Sequence, residues 1–176
     1  MKKLNQRGVT TIELIITFSI TLVLATSIFK SAVNFSERMA LESNKLQINN
    51  YKNIVTKEIQ NNLIENKVKN VTINSNKSTF ASIDFTFKDN NISTLEIRTD
   101  YDNIYEIKYR TSRNVPFDLY ELPNIGLLEK DDGSKTKALS FENISITNNN
   151  NIFKLKIKLN HPDLPDHYNI NIVLPY

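Results

Sequence analysis

Gly8-Val9-Thr10-Thr11-Ile12-Glu13-Leu14 opens a stretch that carries no further charge out to Phe29. Ahead of it lies a short basic leader, Met1 to Arg7, with Lys2, Lys3 and Arg7. Val9 to Phe29 measures about 31 Å at 1.5 Å per residue, enough to cross a bilayer core of about 30 Å. The single carboxylate in this stretch is anomalous. An acidic side chain at the centre of a membrane helix costs roughly 2.5–3.5 kcal/mol, less near an end. Such a residue is read first as functional, and its partner has to be named.

The same residues resemble the processing site of type IV pilins and type II secretion pseudopilins. In that family a dedicated peptidase cuts after the glycine and methylates the new N-terminus, and the usual sequence that follows is Phe-Thr-Leu-Ile-Glu-Leu. Thr10, Ile12, Glu13 and Leu14 match it; Val9 stands for the usual Phe and Thr11 for the usual Leu. The resemblance covers about the first thirty residues. It implies cleavage between Gly8 and Val9, N-methylation of Val9, and an assembly role for Glu13. Two other readings of the segment remain. A secretory signal peptide would use Val23-Leu24-Ala25 as its cleavage site but would carry Glu13 inside its apolar region. A plain anchor would simply keep the segment. All three readings leave the N-terminus cytoplasmic, because Lys2, Lys3 and Arg7 precede the apolar run.

The net charge of +3 does not describe the mature chain. Three of the 22 basic residues sit in the leader, leaving 19 against 19 acidic ones. The chain is therefore no polycation, and its charge is no argument for nucleic-acid binding. Cysteine is absent, which excludes disulfides and thiolate metal sites.

From Lys30 to about Asn66 there is neither Pro nor Gly. Ile48, Tyr51, Val55, Ile59 and Leu63 recur at spacings of three and four, with Ile54 beside them; Asn49, Lys52, Asn53, Lys57, Gln60 and Asn61 take the opposite face. The spacing predicts one helix from about Thr10 to Asn66, apolar all round in its first half and on one face in its second. Beyond Asn70 the period falls to two. Ile83-Phe85-Phe87, Leu95-Ile97, Tyr105-Ile107-Tyr109, Phe153-Leu155-Ile157-Leu159 and Tyr168-Ile170-Ile172-Leu174 each alternate with polar residues. Leu139, Phe141, Ile144 and Ile146 form a sixth run whose phase slips at Glu142-Asn143, as a β-bulge requires. Asp89–Asn91, Asp100–Asn103 and Asn148–Asn151 are turn clusters. The expected fold is α+β: a long N-terminal helix, membrane-spanning in its first half, packed on an antiparallel β-sheet in the pilin-like manner. Its divisions are a leader at 1–8, a transmembrane half-helix at 9–29, a soluble half-helix at 30–70 and a β domain at 71–176.

Thr111 to Lys137 is a long connection holding Pro116, Pro123, Gly126 and Gly133 together with Phe117, Leu119, Tyr120 and Leu122. It reads as a folded-back loop or short strand covering a sheet edge, or as a subunit contact. The order of the β region also resembles that of J-type minor pseudopilins and related minor pilins.

No enzyme is expected. There is no Gly-rich phosphate loop, Gly-x-Ser-x-Gly or His-Glu-x-x-His. No cofactor, metal or small-molecule substrate is expected either: His161 and His167 flank a Pro-rich turn with Asp163 and Asp166, and Glu129 to Lys135 lacks EF-hand spacing and reads as a hairpin tip. Lys154, Lys156 and Lys158 form a one-sided basic strip. It reads as a solvated strand face or a protected edge, and as the phosphate contact of the rival reading, a DNA-uptake pseudopilin. The leading expectation is a structural, minor subunit of a type IV pilus or pseudopilus, lodged once in the plasma or inner membrane with its C-terminal domain outside. The resemblance implies as partners other pilin subunits, the prepilin peptidase, the membrane assembly platform and a cytoplasmic assembly ATPase. A single-span anchored or secreted β-domain outside the pilin class is the remaining alternative.

Overall fold

The computed structural model describes residues 10–77, 80–99, 105–123, 125, 127–129, 135–137, 139–162, 164 and 168–176. The fold is α+β: one long N-terminal helix and, beyond it, antiparallel sheets. The chain divides into two units, Met1–Glu42 and Ser43–Tyr176.

Helix α1 is Thr11–Glu65. In the first unit its side chains are exposed almost throughout, including Leu14, Phe18, Leu22, Ile28 and Phe29. This helix is long and apolar enough to cross a membrane once. In the second unit the expected stripe is the buried one. Ile48, Val55, Ile59 and Leu63 are each fully buried, Tyr51 is half-buried, and Ile54 lies outside the stripe at 52% exposure.

The helix ends at Glu65, short of the boundary at 70 assigned to its soluble half. Asn66 N–H still donates to Asn62 O at 3.1 Å, but Lys67 turns into the left-handed region at φ 54° and stops the spiral. A non-glycine residue there costs about 1–2 kcal/mol. Strand β1, Val68–Asn76, follows at once and was not expected. Its apolar residues do not alternate. Val68 pairs with Phe87 and Val71 with Phe85, with a register shift between Val68 and Asn70. That bulge returns two residues three apart to the same face, hiding the period of two.

The β region is not a single sheet. β1, β2 (Phe80–Phe87), β3 (Ile92–Thr99), β4 (Tyr105–Arg110) and β5 (Asp118–Glu121) form a five-stranded antiparallel meander in sequence order. β8 (Ser140–Asn149), β9 (Ile152–Asn160) and β10 (Tyr168–Pro175) form a three-stranded one with β9 central. β6 (Leu127–Glu129) and β7 (Lys135–Lys137) make a separate hairpin in which Glu129 pairs with Lys135; its tip lies outside the described residues. β5 adds an edge to β4, so part of the long connection folds back as a short strand. The bulge expected at Glu142-Asn143 is present, with the β8–β9 register shifting between Phe141 and Asn143. The turn joining these strands puts Asn150 and Asn151 both at positive φ, the twist a two-residue hairpin loop needs.

The larger sheets share one core. Ile83, Phe85, Leu95, Ile97 and Ile107 on one, and Phe153, Leu155, Ile157, Ile170 and Ile172 on the other, are buried. The Phe85 and Phe153 rings meet edge-to-face with centroids 5.2 Å apart. Helix residues from the second unit bond to both sheets. Tyr51 Oη donates to Tyr120 O at 3.0 Å, Tyr109 Oη donates to Asn62 Oδ1 at 2.6 Å, and Gln60 Nε2 donates to Val173 O at 3.2 Å. The opposite face of the five-stranded sheet is polar: Thr94 bonds Asp84 at 2.8 Å and Lys108 pairs with Glu106 at 2.7 Å.

Candidate functional site

The first turn of α1 carries the residue singled out by the sequence. Thr10 caps the helix: its carbonyl accepts from Leu14 N–H at 3.1 Å, and its Oγ1 accepts from Glu13 N–H at 3.3 Å. Glu13 reciprocates. Its Oε2 accepts from Thr10 N–H at 2.9 Å and from the Thr10 hydroxyl at 3.0 Å. This is a capping box, Thr-x-x-Glu. Glu13 therefore has a local partner within its own chain. The four first N–H groups of a helix have no intrahelical acceptor, and the cost of leaving them bare is greatest in lipid. The carboxylate also sits at the positive end of the helix dipole. Gly8 and Val9, the expected cleavage and methylation positions, lie outside the described residues.

The apolar run after Glu13 contains hydroxyls that a bilayer would penalise if bare. Each of four turns back on its own helix. Thr17 Oγ1 donates to Glu13 O at 2.7 Å, Ser19 Oγ to Ile15 O at 2.8 Å, Thr21 Oγ1 to Thr17 O at 2.8 Å, and Thr26 Oγ1 to Leu22 O at 3.0 Å. These four hydroxyls are thus satisfied within the helix itself, which lowers the cost of carrying them in an apolar run.

The lysine strip occupies the central strand of its sheet, so it is a face and not an edge. Lys154 and Lys156 are exposed. Lys158 is engaged: its Nζ lies 2.9 Å from Glu142 on β8. The cross-strand neighbours are Thr147 and Ser145 on β8 and Val173, Asn171 and Asn169 on β10. No aromatic ring stands in these cross-strand positions to stack a base, and Lys154 and Lys156 have no ion-pair partner among the described residues.

His161 is buried, with Nε2 3.3 Å from Ile125 O. Asp163, Asp166 and His167 lie outside the described residues, as do Asp131 and Asp132. Among the described residues no group of three His, Cys, Asp or Glu is placed to hold a metal ion.

The tyrosines where the helix meets the sheet are perturbed by burial. Burial pushes the Tyr109 phenol up to about 12, against a smaller pull downward from the Ser93 hydroxyl. Burial also raises Tyr51, and raises Tyr120 together with a hydrogen bond to the Glu58 side chain. These phenols stay neutral at physiological pH and act as donors that fasten the helix, not as acids or bases.

No protein family, curated protein or solved structure matches this chain.

Proposed function

We propose that this chain is a structural subunit of a pilus-like filament, a type IV pilus or a pseudopilus, and a minor one. The observation that carries the reading is the placement of Glu13. A glycine ends a basic leader, and the sole carboxylate of an otherwise uncharged run falls in the first turn of a helix long and apolar enough to cross a membrane. Cleavage after Gly8 frees the amine of Val9, the site of N-methylation. In a filament, Glu13 gives that amine on a neighbouring subunit a counter-ion in a medium of low dielectric, where leaving either charge alone is costly. The basic leader keeps the N-terminus cytoplasmic, and the β region is extracytoplasmic. Partners under this reading are other pilin subunits, the prepilin peptidase, the assembly platform and its ATPase.

Two further features support a role in assembly. The helix of the first unit is sheathed in exposed apolar side chains that first a membrane and then neighbouring helices can cover. The second unit has its own core, as a domain carried on the outside of a filament needs. The test is the mass of the mature N-terminus. A chain that begins at Val9 supports the reading; one that begins at Thr26 is a secreted domain, and one that keeps Met1 is a simple anchor.

A further inference from the structure

A cleft of about 340 Å³ opens in the second unit where the end of α1, the start of β1, the end of β2 and the end of β10 meet. Its volume is in the range of small-molecule sites. The lining is aliphatic in Leu63, Val68 and Leu174, all buried, and in Ile64, which is 52% exposed. Two cations complete it, Lys67 and Lys88. They flank the Val68–Phe87 pair at the end of the β1–β2 ladder, and Lys88 N–H donates to Lys67 O at 3.2 Å. Cross-strand neighbours of this kind start their side chains about 5 Å apart, and like charges so placed repel each other. Neither ammonium has an ion-pair partner among the described residues. Glu65 and Asp89, the acids nearest to them in sequence, do not line the cleft.

We propose that this cleft binds a fatty-acid anion of about eight to ten carbons, its carboxylate between Lys67 and Lys88 and its chain against Leu63, Val68 and Leu174. The charge follows from the two lysines, since one carboxylate accepts charge-assisted bonds from both and removes their repulsion. The size follows from the volume: at about 30 Å³ per water-sized group, the space holds about eleven non-hydrogen atoms. The apolar body follows from the rest of the rim, where polar groups are already engaged. Lys67 N–H donates to Ile64 O at 3.2 Å, Tyr176 N–H to Asn151 O at 2.9 Å, and Tyr176 Oη to Asn148 Oδ1 at 2.6 Å. A hydrocarbon chain needs no such partner, whereas the N–H and C=O groups of a peptide would. Lys67 adds a second indication. Glycine would end α1 at φ 54° without strain, yet the position holds a cation, and strain of this kind gathers at ligand sites. The site lies within the second unit and does not depend on the filament reading.

The test uses the full-length chain in lipid nanodiscs and decanoic acid carrying a diazirine at the end of its chain. After irradiation the labelled residues are mapped by mass spectrometry. The expected result is saturable labelling of residues 63–68 and 174–176, competed by decanoate but by neither acetate nor decanol. Lys67→Gln combined with Lys88→Gln should cut that labelling about tenfold at subsaturating probe, the loss of two exposed charge contacts. Lys154→Gln combined with Lys156→Gln, outside the cleft, should leave it unchanged. Lys67→Gly should lower labelling by about threefold without lowering Tm, which separates a lost contact from a damaged fold. Labelling confined to the apolar run of α1, competition by decanol equal to that by decanoate, or labelling untouched by the double lysine substitution would overturn the proposal. So would stronger competition from a short peptide ending in leucine, which would make a chain terminus the ligand.

Discussion

Ile59→Ala is the sharpest test of how the second half of α1 is held. Ile59 is fully buried and lies between Val55 and Leu63 on the stripe, whereas Ile54 on the same helix is 52% exposed. The substitution removes three carbons, about 2.4 kcal/mol at 0.8 kcal/mol per buried methylene. The cavity left behind raises the expected loss to about 2–5 kcal/mol. Alanine is the better helix former by a few tenths of a kcal/mol, and that gain is common to both sites. At roughly 3–5 °C per kcal/mol for a domain of this size, Ile59→Ala should lower Tm by about 10 °C or more. Ile54→Ala should move it by under about 2 °C, as surface substitutions do. The assay is thermal unfolding followed by far-UV circular dichroism on a chain begun at Lys30, which carries no apolar run. Equal shifts for the two variants would mean that the stripe is not the face packed on the sheets.

Gly8→Val should block maturation, and continued appearance of a chain beginning at Val9 would remove the processing site from the proposal. Glu13→Gln should leave membrane insertion and cleavage intact while reducing cross-links between subunits. Equal cross-linking at equal membrane levels would deny the charge any part in assembly. Tyr109→Phe removes the 2.6 Å bond to Asn62 and should cost about 1–2 kcal/mol at neutral pH. It should also change the alkaline limb of stability. A phenol raised from 10.0 to about 12 in the folded state contributes stability that is complete below the unfolded value and lost as pH climbs through about 12. The variant should therefore lose less stability than the parent across that window, though Tyr51 and Tyr120 shift the same way and keep some slope. Identical alkaline profiles would place Tyr109 outside that effect.

Much of the second unit was legible because its signals are local. The stripe on α1 needed only a count of three and four, and the runs on β2, β3, β4, β9 and β10 only an alternation. Even the slip at Glu142-Asn143 could be read as the bulge that β8 contains. What was missed depends on geometry that residue types do not announce. The helix stops on a lysine at positive φ, not on a glycine, so its end went unmarked. β1 carries its bulge inside a short apolar pattern, which breaks the period that would have revealed it. The division into separate sheets rests on which strands pair, and alternation fixes the buried face of a strand without naming its neighbour. At the candidate site, Thr10-x-x-Glu13 was in plain view as a capping pattern. It was passed over because the carboxylate was weighed against lipid and not against the bare N–H groups of its own first turn.

That omission changes what Glu13 can be asked to prove. A carboxylate in an apolar run needs a partner, and the chain itself supplies one in Thr10. The need for a partner is then no longer an argument for a neighbour. What remains is the charge. Both bonds from Thr10 fall on Oε2, and a neutral amide can accept them too, which is why the capping pattern admits Gln as readily as Glu. Capping alone therefore does not call for an ion, and an ion is the more costly choice in lipid. The helix dipole already favours Glu over Gln modestly, and a full positive charge within reach would favour it further; the Val9 amine freed by cleavage is one that a filament would bring. The two roles are compatible, since Oε1 accepts from no other described residue. They are also separable: Glu13→Gln keeps the cap and removes the ion, whereas Glu13→Ala removes both. A fall in subunit cross-linking that is as large for Gln as for Ala assigns the effect to the missing charge, and a fall seen only with Ala assigns it to a frayed first turn.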